Sequence, residues 1–310
     1  MSRAINNRPY KFTKQRWKNQ VELWLLYAVL AAIFAGITTI LAKLGLKNVE
    51  SNLATLIRTL VVLIFAWAMV FAVGSQIEIG NVDVRTWTFL ILSGLSTGAS
   101  WLCFFRALQL GNVNQVTPLK KSSTILTMIL AFIFLGEPLG WGMIAGIALI
   151  AVGTLLMLKP KKQSKPNEKK ANRSWLIFAA LAAIFASLTA ILGSIGIRNV
   201  EANLGNAIRT MAVVPMSFIM VKVTGNRFFA KIGGKSWAFL VASGIATGAS
   251  WMFFYHALQL GNASLVVPVD KLSIVLTMAF ARLFLGERFT RRSLIGLAIL
   301  TIGTLLPILV

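Results

Sequence analysis

Two prolines, Pro118 and Pro268, each stand two and three positions before a pair of charged residues: Lys120 and Lys121 in one place, Asp270 and Lys271 in the other. All four charges fall within otherwise apolar runs. A charge at the centre of a membrane-spanning helix costs about 2.5–3.5 kcal/mol on insertion scales, so it faces a cavity or a partner. Proline lacks a backbone N–H and clashes with the preceding turn, which breaks the helix ladder and can open backbone groups to a solute. The chemistry expected of such a pattern is recognition of a charged solute within a membrane, with Pro118 and Pro268 as the helix breaks. Lys120 and Lys121 are neighbours and point about 100° apart on a regular helix, so at most one touches the solute. For Asp270 and Lys271 a local ion pair stands beside the substrate or proton site as a reading.

Other polar residues in apolar surroundings extend the candidate set. Arg58 and Arg209 each follow an asparagine, Asn52 and Asn203, by six residues. A guanidinium there either snorkels to the interface or clamps an anion with its planar fork. Arg106 and His256 fall in matching strings, "GASWLCFFRALQLGN" and "GASWMFFYHALQLGN". Histidine titrates near neutral pH and arginine does not, although a histidine satisfied by its neighbours is the structural alternative. Trp101 and Trp251 read as aromatic walls of a site or as interfacial anchors. Glu137 and Glu287 close spans and are expected to pair with the start of the next helix. One histidine, one cysteine (Cys103, read as apolar filler) and the lack of HExxH or paired aspartates leave no catalytic set, no metal site and no expected cofactor. No nucleotide-binding P-loop is present.

These residues need elements to carry them. The chain of 310 residues is 57% hydrophobic and only 13% charged, too apolar for a soluble domain. Apolar runs near 24–44, 53–73, 87–108, 113–135, 139–158, 174–195, 204–223, 236–258, 263–285 and 290–309 are each about the 20 residues that cross a bilayer core. The fold class is therefore an all-α membrane protein with about ten transmembrane helices. The first run is too long for the apolar core of a signal peptide and is expected to remain as the first span.

Those helices are written twice. A shift of 151 lays residues 31–59 on 182–210, and a shift of 150 then carries Ser93 onto Ser243, Pro118 onto Pro268 and Glu137 onto Glu287. Five spans is an odd number, so the second copy enters the membrane from the opposite side, which gives two inverted five-helix repeats. The expected organisation is a basic N-terminal tail (1–23), a first repeat (24–158), a basic linker (159–173) and a second repeat (174–310). Paired glycines at 94 and 98, 142 and 146, and 244 and 248 have the small-xxx-small spacing of close helix packing.

Gly-Ala-Ser-Trp followed by Ala-Leu-Gln-Leu-Gly-Asn, a proline in the next span, and "FLGE" at 134–137 and 284–287 resemble the EamA-like module of the drug/metabolite transporter superfamily. Each half is similar to the small five-span bacterial members, and the chain looks like a fused antiparallel pair. The resemblance implies a secondary transporter working by alternating access in the bacterial plasma (inner) membrane, functional as a monomer because its halves are joined. Copy one carries Lys120 where copy two carries Asp270, so the halves are chemically unequal. Six Lys or Arg among the intramembrane candidates oppose the single Asp270, which favours a zwitterionic or anionic metabolite over a cation. A flippase for an anionic lipid-linked carrier is the alternative.

The net charge of +22 sits mostly in the tail, the linker and the loop 221–237. All three flank spans, where basic residues set orientation and attract anionic lipid, so membrane lipid is the expected partner and nucleic acid is not. Fifteen basic residues share the linker's side, whereas Arg85, Arg198 and the six of the tail lie opposite. That bias favours a cytoplasmic linker.

Overall fold

The structure is a computed structural model that describes residues 14–46, 49–110, 122–157, 174–223, 232–285 and 290–310. With no water in a bilayer core to satisfy the backbone, apolar runs of this length must pair their own N–H and C=O groups, and they do so as helices. The first repeat supplies α1 (Lys14–Gly45), α2 (Ser51–Val73), α3 (Val84–Leu110), α4 (Ser123–Leu135) and α5 (Trp141–Met157). The second supplies α6 (Ser174–Gly196), α7 (Ala202–Val223), α8 (Gly234–Leu260), α9 (Ala263–Lys271), α10 (Ser273–Leu285) and α11 (Arg291–Leu309). A short 3-10 helix, Ser75–Asn81, follows α2.

Among the described residues eight segments are long and apolar enough to cross a membrane, and Ser123–Leu135 and Trp141–Met157 are shorter apolar helices. These ten segments correspond to the ten expected runs. Two boundaries differ from expectation. Helix α1 begins at Lys14, inside the stretch read as a tail, and the ninth span is two helices joined at Leu272.

Helix pairing joins the halves throughout. Helix α1 packs along α8 and α6 along α3; α2 meets α7, and α5 meets α11. Each half gives its first helix to the other half's third, so the repeats interleave. Rising positions on α5 face falling positions on α11: a Cβ added at Gly146 would lie 2.7 Å from the Gly303 carbonyl oxygen, and one at Gly153 would lie 2.6 Å from that of Gly296. Helices α5 and α11 are equivalent by the repeat shift yet run antiparallel, which makes the halves inverted.

Glycine lets the two backbones touch at this crossing, because any side chain at Gly153 would meet the Gly296 carbonyl and the Leu300 backbone. Gly153→Leu is expected to destabilise the purified protein by about 1–3 kcal/mol, the range for overpacking a tight core. Gly140→Ala, where an added Cβ meets nothing within 4 Å, should leave the thermal unfolding midpoint in detergent unchanged. Equal midpoints for the two variants would contradict the close crossing.

Candidate functional site

The duplicated strings on α3 and α8 place a hydroxyl, a glycine and a tryptophan on the helix faces that meet the other half. On α8, Ser243 donates to the Thr38 carbonyl at 3.0 Å and Ser250 to the Ala31 carbonyl at 2.9 Å. The same bonds recur through the two-fold: Ser93 donates to the Thr189 carbonyl at 2.7 Å and Ser100 to the Ala182 carbonyl at 2.8 Å. The Thr38 and Thr247 hydroxyls lie 3.3 Å apart, as do those of Thr97 and Thr189. The sequence carried a signal for this ladder, since serine or threonine recurs at 93, 97 and 100 and again at 243, 247 and 250. Spacings of four and three put all of them on one helix face.

Each ladder ends on an arginine from the opposite half. Arg58 on α2 donates through Nη2 to Thr247 Oγ1 at 3.0 Å, and Arg209 on α7 donates through Nη2 to Thr97 Oγ1 at 2.7 Å. From that shared contact the two diverge. Arg209 is buried, donates through Nε to Ser93 Oγ at 3.3 Å, and lies against Trp251 and Tyr255 with its guanidinium carbon 4.6 Å and 5.2 Å from their ring centres, although its Nη1 is also buried without a partner. Arg58 has the one hydrogen bond, leaves Nε buried without a partner, and opens into a cavity of about 270 Å³. Neither arginine forms an ion pair with a carboxylate among the described residues.

That cavity lies between the halves. Thr38 and Thr39 come from α1, Thr55, Arg58 and Thr59 from α2, Trp101 from α3, and Thr247, Ser250 and Trp251 from α8. Trp251 is shared: one arginine stacks on it and the other looks into the space that it walls. The volume is just below the usual range for ligand pockets, about 300–1,000 Å³. One cation, several hydroxyls and two indole surfaces can hold a small solute that carries an anionic group, and no carboxylate among the described residues lines the space.

The asymmetry of the arginines has a sequence counterpart. Tyr255 occupies the repeat position of Phe105, and Gly193 that of Ala42. A Cβ at Gly193 would lie 2.9 Å from the Tyr255 hydroxyl. Compared with the first half, the second carries a hydroxyl beside Arg209 and lacks the methyl group that would block it.

The remaining candidates lie elsewhere. His256 Nδ1 is 2.9 Å from the Met252 carbonyl, which only accepts, so Nδ1 carries the proton and Nε2 faces Glu201 Oε1 at 4.0 Å. Tyr27 tilts against the same ring, with centroids 5.3 Å apart. Arg106, the repeat partner of His256, is exposed on α3. Asn203 donates to Glu201 Oε1 from its backbone N–H at 3.0 Å and from Nδ2 at 2.8 Å, in the first turn of α7; Asn52 holds the matching place on α2. Asp270 and Lys271 pair with each other at 2.9 Å. None of these six lines the Arg58 cavity. Pro118, Lys120 and Lys121 lie outside the described residues, as does Glu287.

Pro268 does not break the helix at its own position. It sits inside α9, and the interruption falls at Leu272, whose N–H turns to the Val269 carbonyl at 2.9 Å with φ −63° and ψ −12°. The segment tightens by one residue and stays right-handed, because proline removes only the bond from its own nitrogen while the following residues keep theirs.

Glu137 also departs from expectation. Gly136 ends α4 with φ 66°, a left-handed turn that glycine adopts without strain. The turn sends Glu137 to the other half, where Oε1 accepts the Ala263 N–H at 2.8 Å and Oε2 the Ser264 N–H at 2.9 Å. The buried carboxylate caps α9, not the next helix in sequence, where it meets the positive end of the helix dipole. The repeated glutamine has a structural role as well: Gln259 Nε2 donates to the Ile197 and Val200 carbonyls at 3.2 and 2.9 Å, fastening the α6–α7 turn.

Comparison with known proteins agrees with this architecture. The profile of the EamA-like transporter family matches residues 22–159 and 173–309. The uncharacterized transporter in the cobO 3' region of Sinorhizobium sp. is 46% identical over 134 residues, 43% of this chain and 95% of its own length, so it is about one repeat long. The uncharacterized transporter YxxF of Bacillus subtilis (strain 168) is 21% identical over 210 residues, 67% of this chain and 66% of its own. A solved crystal structure, 19% identical, superposes with a TM-score of 0.75 over 91% of this chain and 95% of that one. At that identity the match speaks to fold.

Glu137→Gln keeps the shape but sets an NH2 group against one of the two backbone donors. Hydrogen bonds to charged groups contribute about 1.5–3 kcal/mol, and a loss of that order is expected in thermal unfolding. Hydrogen exchange at residues 263–266 should accelerate with it. Unchanged exchange there would show that the fork does not hold α9.

Proposed function

Because the chain belongs to the EamA-like transporter family, we propose that it carries a small anionic or zwitterionic metabolite across the membrane by alternating access, with the Arg58 cavity as the solute site. The observation that carries this reading is the state of the Arg58 guanidinium. It sits between the halves with one hydroxyl partner, a buried orphan Nε and no ion pair with a described carboxylate. A cation desolvated in this way is the complement of an anion, and a carboxylate or phosphate placed on the open side supplies the missing acceptors. The five threonines of the lining, Thr38, Thr39, Thr55, Thr59 and Thr247, suit a polar solute better than the tail of a lipid-linked carrier.

Arg209 has a different role in this reading. Held by Ser93, Thr97 and the faces of Trp251 and Tyr255, it positions Trp251 as a wall of the cavity. Lys120 and Asp270 enter as charges that tune selectivity or couple a proton in the fourth spans. Each cross-half bond joins parts of one chain, which supports a monomer as the working unit. The excess of basic residues beside the linker supports a cytoplasmic linker in the bacterial inner membrane.

Reconstituted protein tested against labelled amino acids, dicarboxylates and organic cations should take up a carboxylate-bearing solute. Removing a charge-assisted bond of about 1.5–3 kcal/mol predicts that Arg58→Gln slows that uptake at least about tenfold, while Lys222→Gln does not. Uptake of the same solute by Arg58→Gln at the wild-type rate, or a wild-type preference for cations, would sink the proposal.

A further inference from the structure

A second cavity, of about 290 Å³, lies at one end of the helices, away from the Arg58 site. Arg85 in the first turn of α3 and Arg198 in the turn after α6 meet there, with Asn199 beside them, and Phe89, Phe134 and Leu135 form apolar walls. The spans themselves fix its depth. Arg85 is one residue inside the span that starts at Val84, and Arg198 is two residues past the span that ends at Gly196, so both cations stand at the level of the lipid headgroups. Phe134, 64% exposed, stands one residue before the end of α4, and Phe89 lies one turn deeper along α3 than Arg85.

Neither arginine is committed to a carboxylate. No described ion pair includes them, and the nearby Asp83 turns back onto the start of α3, where Oδ1 accepts the Thr86 N–H at 3.0 Å. Arg85 lies instead over the Phe89 ring, 5.7 Å from its centre. The cations also stand against the general bias of the sequence, since Arg85 and Arg198 are the basic residues of loops that otherwise carry almost none on that side. The repeat writes the same chemistry a second time: Lys235 takes the position of Arg85, Lys47 that of Arg198 and Asn48 that of Asn199, with Phe-Leu at 284–285 as at 134–135.

We propose that Arg85 and Arg198 bind the phosphate of an anionic phospholipid, with its acyl chain along Phe89, Phe134 and Leu135. Two guanidinium forks match the phosphate oxygens, and the exposed phenyl ring gives the chain an apolar surface. A free phosphate shares the headgroup chemistry, but the apolar walls and the interfacial depth favour the lipid. The site stands apart from the Arg58 cavity, so it can be tested without knowing the transported solute.

Native mass spectrometry of the full chain in detergent, titrated with dioleoylphosphatidylglycerol, reads the number of tightly retained lipids. The expected result is one fewer in the double variant R85Q/R198Q, its retention weakened about tenfold or more by loss of charge-assisted bonds. The charge-matched control R291Q/R292Q, altered at exposed positions of α11, should retain the wild-type number. R85K/R198K, which copies the lysines at the repeat-equivalent positions 235 and 47, should keep the lipid. Equal retention by R85Q/R198Q and the control would overturn the site. Equal retention of dioleoylphosphatidylcholine, or displacement of the lipid by millimolar inorganic phosphate, would overturn the assignment to an anionic lipid.

Discussion

Arg58 and Arg209 reach across the boundary between the halves to hydroxyls that the other half supplies, Thr247 and Thr97. Inside a bilayer a guanidinium has no water to turn to, so its donors must be met by the protein or by what the protein carries. On the same helix faces Ser93 and Ser100 donate to carbonyls of α6, and Ser243 and Ser250 to carbonyls of α1, which fixes the depth of each first helix against the other half's third. Measured interhelical hydrogen bonds in membranes average only about 0.6 kcal/mol. Their weight here comes from number and from geometry, since glycines between the hydroxyls bring the same helices against α2 and α7.

The two-fold relation sets the fold, and departures from it set the chemistry. At Arg209 the second half has the Tyr255 hydroxyl where the first has Phe105 and no methyl group at Gly193 where the first has Ala42, and the cation is closed in. At Arg58 the equivalent space is a cavity, to which Thr39 and Thr55 add hydroxyls where the second half has Ala190 and Asn206. Duplicated halves are free to differ once fused, and a site on or near their axis then presents one solute with two unlike walls. Trp251 makes this physical: its indole is a stacking partner for one arginine and a wall for the other.

Much of this was legible in the residues. The span lengths, the repeat shift and the odd number of spans led to inverted halves, and both arginines and both tryptophans stood out as intramembrane polar groups and matched types. The interleaving was not legible, because hydrophobic period tells which face of α1 is buried and not that α8 buries it. The fork of Glu137 onto Ala263 and Ser264 crosses more than a hundred residues of sequence, and no local spacing announces it. The same limit explains Pro268, where the rule that proline breaks helices located the interruption four residues too early. For Asp270 and Lys271 the sequence left a local ion pair and a solute or proton site side by side, and the structure pairs them with each other.

The account rests on an uncompensated positive charge at Arg58, and anomalous diffraction from crystals soaked in bromide would see its complement directly. A bromide peak is expected within hydrogen-bond distance of the Arg58 guanidinium, between Trp101 and Trp251. Bromide found only at exposed basic residues or at Arg209, with the Arg58 cavity empty of it, would contradict the claim that this arginine is the anion contact.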